Sequence, residues 1–74
     1  MSLGNRIASM RGFRQMSQSV LGGLIGVSKQ AICNWEKGRS SPDAGDIRNL
    51  CIVLGCTADY LLGLADDPSG HVKW

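Results

Sequence analysis

Apolar side chains fall in short stripes at helical spacing, separated by brief breaks, along most of this chain. Leu3, Ile7 and Met10 follow i, i+4, i+7 and mark one face of a first helix ending near Arg14. Ser17 offers an N-cap hydroxyl ahead of Val20, Leu21 and Leu24, the stripe of a second helix. Gly26 closes that helix, since glycine takes the positive φ common at a helix C-terminus. Ser28 caps a third helix that runs to about Lys37 and stops at Gly38, and Arg39-Ser40-Ser41-Pro42 reads as a loop. Asp43 starts a fourth helix, with Ile47, Leu50, Cys51 and Leu54 at i, i+3, i+4, i+7 and Gly55 at its end. Thr57 caps a fifth, bearing Tyr60, Leu61, Leu62 and Leu64. No segment alternates with period two over a useful length, so no strand is expected. The pattern predicts an all-α fold, a compact five-helix bundle over residues 1–64, with 65–74 as a flexible tail or the start of a linker.

Composition narrows the function classes. The chain has 74 residues, one domain with a modest core and little room for an enclosed active site. A hydrophobic fraction of 43% suits a globular protein, and its apolar runs are too short to span a membrane. The N-terminus has no charged segment followed by an apolar stretch, so no signal peptide is read there. Cys33, Cys51 and Cys56 form an odd set with no CxxC pair, which points to a reducing, cytoplasmic setting. Together with His71 they have the composition of a Cys3His zinc site, but their spacing matches no common ligand pattern, so neither metal nor cofactor is expected. The single histidine, His71, sits in the tail and no nucleophile has a neighbouring base, which argues against an enzyme. Charge is unevenly distributed. Residues 1–41 carry Arg6, Arg11, Arg14, Lys29, Lys37 and Arg39 against Glu36 alone, a net +5, whereas residues 42–74 carry Arg48 and Lys73 against five aspartates, a net −3. A basic half of this kind suits a polyanionic partner, although a soluble protein also acquires such a dipole by chance.

The stretch from Gln18 to Lys37 holds the most information. Two short helices joined by Gly26-Val27 make a tight helix-turn-helix, which needs a small residue where the helices cross and positive φ in the turn. Gly22 and Gly26 stand at those places, and Leu21, Ile25, Val27, Ile32 and Trp35 are the apolar residues that fix the crossing. At 100° per residue, Lys29, Gln30, Cys33, Asn34 and Lys37 share an arc of roughly 140°, opposite Ala31, Ile32 and Trp35. That arc bears two amides, two ammonium groups and no carboxylate. Gln and Asn pair bidentately with adenine N6 and N7, and Lys reaches guanine O6 and N7. An ordinary solvated helix face would also be polar, but it would normally include Asp or Glu.

With these residues in view, the sequence resembles the Xre/Cro-like family of helix-turn-helix proteins, which includes the lambdoid phage repressors. The resemblance covers about Leu3 to Gly63. It is carried by Ser17-Gln18, Gly26-Val27-Ser28, Ile32-Cys33-Asn34-Trp35-Glu36-Lys37-Gly38, Pro42, Leu54-Gly55 and Asp59-Tyr60-Leu61-Leu62-Gly63. It implies a lambda repressor-like bundle, with the second and third helices forming the helix-turn-helix, that binds double-stranded DNA at a pseudo-palindromic operator and represses transcription by occupancy. It implies that Gln18 and Ser28 contact phosphate, that Lys29, Gln30 and Asn34 read bases, and that Lys37, Arg39 and Ser40 grip the flanking backbone. It also implies a structural ion pair between Arg11 and Glu36, joining the first helix to the third. Cys33 is added to the base-reading set because it lies on the same arc. Weak homodimerisation is expected through the exposed apolar residues near the C-terminus, Tyr60, Leu62, Leu64, Val72 and Trp74, and no membrane partner is expected.

The chain departs from the family pattern in places. Gly22 stands for the more usual Ala and is followed by Gly23, Gly12 weakens the first helix, and Gln15 occupies a turn position where Gly or Asn is commoner. Ala44 and Gly45 promise a weak start to the fourth helix, and Cys33 replaces a polar or charged residue. Two rival readings stand beside the repressor. One is an antitoxin that binds a protein toxin as well as its own promoter. The other is the excised DNA-binding domain of a longer repressor, with Asp66 to Gly70 as the start of its linker.

Overall fold

The computed structural model describes residues 2–68. It contains α1 (Leu3–Phe13), α2 (Gln18–Ile25), α3 (Lys29–Glu36), α4 (Ala44–Leu54) and α5 (Ala58–Leu61), with no strand among the described residues. Each start is set locally. Ser2, Ser17, Ser28 and Thr57 accept hydrogen bonds from the backbone N–H three residues on, at 3.1, 3.0, 3.0 and 3.2 Å. At α4 the weak start expected from Ala44-Gly45 is corrected by a capping box. Asp43 accepts from the Asp46 N–H at 2.8 Å, and the Asp46 carboxylate accepts from the Asp43 N–H at 3.2 Å. The turn between α2 and α3 passes through Gly26 at φ 80°, while Gln15, a non-glycine, holds φ 57° in the turn after α1.

Ile7 and Met10 of α1, Leu21 of α2, Ile32 and Trp35 of α3, Leu50 and Leu54 of α4, and Cys56, Tyr60 and Leu61 form the core. Ile25 and Val27 are half-buried against it. Two close approaches set the helix packing. A Cβ on Gly22 would lie 2.7 Å from the Val27 carbonyl oxygen, so the missing side chain lets α2 fold back on the turn. A Cβ on Gly4 would lie 2.4 Å from the Trp35 oxygen and 2.5 Å from that of Glu36, so α1 rests on the backbone end of α3.

Four expectations change. Val20 and Leu24 are exposed, because an eight-residue helix turns only one narrow face inward and Leu21 with Ile25 occupies it. Helix α5 ends at Leu61, so Leu62 is its C-cap and Leu64 lies beyond it. Tyr60 leaves the exposed apolar set, being 7% exposed with the Arg6 guanidinium 4.5 Å from its ring centroid. Packing also extends past residue 64. Ala65 is buried, and the Thr57 N–H donates to the Pro68 carbonyl at 3.1 Å. His71, Val72 and Trp74 lie outside the described residues. No helix among the described residues is long and apolar enough to cross a membrane.

Candidate nucleic-acid interface

Helix α3 stands with Ile32 and Trp35 in the core and its opposite side open. Lys29, Gln30 and Lys37 are exposed, while Cys33 and Asn34 are half-buried. Ser28, Arg39 and Ser40 flank them at either end and are exposed. The loop after α3 is tied back to it, with the Arg39 N–H donating to the Asn34 carbonyl at 2.9 Å and Gly38 at φ 74°. The nine residues expected to read or grip a nucleic acid therefore belong to α3, its two flanks and the start of α2. On α3 itself the Gln30 Nε2 donates to Asn34 Oδ1 at 3.0 Å, one helical turn on.

The carboxylate nearest this face is Glu36, and the structure binds it from two sides. Arg11 donates from Nε to Oε2 at 2.7 Å and from Nη2 to Oε1 at 3.0 Å, a bidentate pair joining α1 to α3. Gln18 Nε2 donates to Oε1 at 3.1 Å, bringing in the start of α2. Arg11 Nη1 also donates to the Met16 carbonyl at 2.9 Å, fixing the α1–α2 turn. Burial alone would raise the Glu36 pKa. The hydrogen bonds from Arg11 and Gln18, with the Arg11 charge, outweigh it and hold the carboxyl below its ordinary value. The same hydrogen bond raises Arg11 above its own. The expected pair is present, and Gln18 has a protein partner that the sequence did not disclose.

Not every basic residue of the first half faces outward. Arg6 is 8% exposed. Its Nη1 donates to the carbonyls of Tyr60 at 3.0 Å and Ala65 at 2.9 Å, and its Nε is buried without a hydrogen-bond partner. Arg14 is exposed, but its Nε donates to the Leu54 carbonyl at 2.8 Å, which ties its charge to the C-terminus of α4 where the helix dipole favours a cation. The +5 counted along residues 1–41 thus overstates the field near α3, where Lys29, Lys37 and Arg39 remain.

Cysteines contribute little chemistry to this face. Cys51 and Cys56 bracket the end of α4 and hydrogen-bond to each other; burial pushes both thiols up, Cys56 to about 11. Among the described residues no group of three or more His, Cys, Asp or Glu is placed to hold a metal. A shallow concavity lined by Met10, Phe13, Tyr60 and Pro68 takes in none of α3.

Comparison with known proteins agrees with this arrangement. A family model described as a helix-turn-helix domain matches residues 2–62. Repressor protein C2 of Salmonella phage P22 is 37% identical over 60 residues, which cover 81% of this chain and 28% of that protein. The SPbeta prophage-derived uncharacterized HTH-type transcriptional regulator YonR of Bacillus subtilis (strain 168) is 29% identical over 59 residues, 80% of this chain and 55% of that one. The chain thus matches about a quarter of the first and about half of the second. Among solved structures, the P22 c2 repressor in complex with a synthetic operator superposes with a TM-score of 0.81 at 35% identity, covering 84% of this chain and 94% of that one. The solution structure of the DNA-binding domain of the P22 c2 repressor gives 0.79 at 34% identity, covering 82% and 80%. The five-helix arrangement is therefore a shared fold, and the chain belongs to the helix-turn-helix domain family as a lambdoid phage repressor-like member.

Proposed function

We propose that this chain binds double-stranded DNA in a sequence-specific manner and acts as a transcriptional repressor by occupying its operator. The observation that carries the reading is the exposed face of α3. It bears Lys29, Gln30, Cys33, Asn34 and Lys37 and no carboxylate, while the adjacent Glu36 is held by Arg11 and Gln18. The P22 c2 repressor, of the same fold, is seen on operator DNA.

In this reading α3 enters the major groove. Gln30, Asn34 and Lys29 reach base edges, and Cys33 packs among them. The Ser28 hydroxyl and the free N–H groups opening α3 meet one phosphate, where the helix dipole favours an anion. Gln18 uses one amide proton on Glu36 and turns the other to the backbone. Lys37, Arg39 and Ser40 hold the strand at the far end. These phosphate contacts fix register, and the groove contacts supply sequence preference. Leu62 and Leu64, 52% and 63% exposed, support weak pairing of two copies, which would set two α3 helices about one turn apart on a pseudo-palindrome. Residues 2–68 form the binding unit. Relatives named as a repressor and a transcriptional regulator give the antitoxin reading no support.

The test is selection from randomised duplex DNA. A recurring, two-fold symmetric site supports the proposal. A pool that stays random after several rounds, with affinity depending on salt but not on sequence, overturns it.

A further inference from the structure

We infer that Cys51 and Cys56 form a reversible redox site, which low-molecular-weight disulfides convert to an intramolecular disulfide that staples the end of α4 to the start of the α4–α5 connection. The site is separate from the proposed DNA-binding face and does not depend on that reading.

The backbone brings the two residues together. Helix α4 ends with Gly55 at φ 70°, and the N–H groups of Gly55 and Cys56 both donate to the Cys51 carbonyl, at 2.9 and 3.2 Å. A helix ending of this kind folds the second residue past the turn onto the last turn, where the two side chains usually make an apolar contact. Here both side chains carry sulfur. The thiols are free and already hydrogen-bonded to each other, so a disulfide would shorten an existing contact rather than gather distant groups.

The two thiols are unlike, and the difference gives each a role. Cys51 is half-buried, whereas Cys56 is 8% exposed. An incoming disulfide therefore meets Cys51 first. Burial raises both thiols, but the Cys56 S–H donates to the Cys51 sulfur and favours Cys51 as the thiolate. Arg14 lies against this turn, its Nη2 2.6 Å from where a Cβ on Gly55 would stand. Its charge opposes the effect of burial on Cys56, which must ionise second.

The chemistry is thiol–disulfide exchange, with oxidised glutathione as a representative oxidant. The Cys51 thiolate attacks one sulfur of the oxidant, whose S–S bond breaks. A mixed disulfide forms at Cys51 and one glutathione leaves as thiolate. The Cys56 thiolate then attacks the Cys51 sulfur and expels the second glutathione. Two cysteine sulfurs are oxidised, one external disulfide is reduced to two thiols, and the two cysteine protons pass to the departing thiolates. Excess reduced glutathione runs the sequence backwards.

The experiment equilibrates the whole chain, as Cys33→Ser so that only the two thiols remain, in mixtures of reduced and oxidised glutathione. Samples are quenched with acid and read by intact mass and peptide mapping. A species lighter by two hydrogens, linked between residues 51 and 56, is expected. Closing so short a loop in the unfolded chain costs entropy that the native turn has already met. The equilibrium constant for oxidation should therefore be about 10- to 40-fold larger in the native chain than in urea, and by the same linkage the oxidised domain should melt at a higher temperature than the reduced one. Cys56→Ser, in the same background, should collect glutathione at residue 51, while Cys51→Ser should leave Cys56 largely unmodified over the same time. If Cys56→Ser does not fold, the mixed disulfide trapped at short times in the Cys33→Ser chain reads the same order. A constant no larger than in urea, an oxidised form that melts lower, or glutathione accumulating on Cys56 before Cys51 overturns the inference.

Discussion

The basic residues near α3 set how steeply DNA affinity should fall with salt. Each cation placed on a phosphate releases a condensed counterion, giving a slope of log K against log salt of about −0.9 per contact on B-DNA. Sequence alone supplies six basic residues before Ser41, which would give about −5.4 per protomer if all engaged. The structure withdraws three of them. Arg6 is buried on the carbonyls of Tyr60 and Ala65, Arg11 is paired with Glu36, and Arg14, though exposed, is tied to the C-terminus of α4 by the Leu54 carbonyl. Lys29, Lys37 and Arg39 remain, so the expected slope is no steeper than about −2.7 per protomer. Raising salt from 50 to 200 mM should then weaken each half-site by about 40-fold at most. The assay is fluorescence anisotropy on a labelled half-site duplex across that range. Lys37→Ala should reduce the magnitude of the slope by about 0.9, on selected and random duplex alike. Arg6→Met should leave it unchanged in whatever fraction remains folded. A wild-type slope near −5 per protomer, or a Lys37→Ala slope equal to wild type, would refute the assignment of cations.

Glycine packing, the Arg11–Glu36 pair and cysteine reactivity each give further expected outcomes. Gly23 has open space where a Cβ would go, so Gly23→Ala should stabilise by about 1 kcal/mol through helix propensity, raising Tm by about 4–8 °C for a domain of this size. Gly4→Ala should lower Tm because its Cβ meets the backbone of Trp35 and Glu36; thermal unfolding that shows both variants moving the same way contradicts the packing. Glu36 contributes stability while ionised, since its folded pKa lies below its ordinary 4.5. That contribution should be complete above the unfolded value and lost as pH falls through the folded one, so Tm should drop more steeply below about pH 4.5 in wild type than in Glu36→Gln. Near neutral pH, Glu36→Gln should be less stable than Lys37→Gln, and identical unfolding curves for the two would remove the ion pair from the account. Finally, half-buried Cys33 should react with a thiol reagent well before buried Cys56, and DNA should slow it; simultaneous reaction of the two would contradict their placement.

Much of α2, its turn and α3 was legible because the signals are local. A capping serine, a glycine at positive φ and a run of apolar residues at fixed spacing each act within a few residues. The open face of α3 followed from helical period alone. The Gln30–Asn34 spacing was equally visible, but which amide donates depends on side-chain geometry that periodicity does not contain. Arg6 was misread for a related reason. An arginine on a helix in a basic half looks solvated until the segment after α5 brings the Tyr60 and Ala65 carbonyls to it. The close approach at Gly4 was hidden in the same way, since its neighbours in space lie more than thirty residues along the chain. Val20 and Leu24 marked the opposite error. Their spacing fits a helix, yet a helix this short cannot bury three sides.

The Arg6 contacts give the domain a loop-like wiring, in which residue 6 is held by carbonyls 54 and 59 positions later. A ribosome makes the chain from the other direction in time: the guanidinium emerges early, and its acceptors arrive only when nearly the whole domain has been synthesised. The earlier helices therefore cannot seal the core around Arg6 as they appear, because the charge would be buried without the two oxygens that compensate it. Burial of Arg6 therefore waits on the segment that carries Tyr60 and Ala65, whose carbonyls tie the first helix to the end of the fifth.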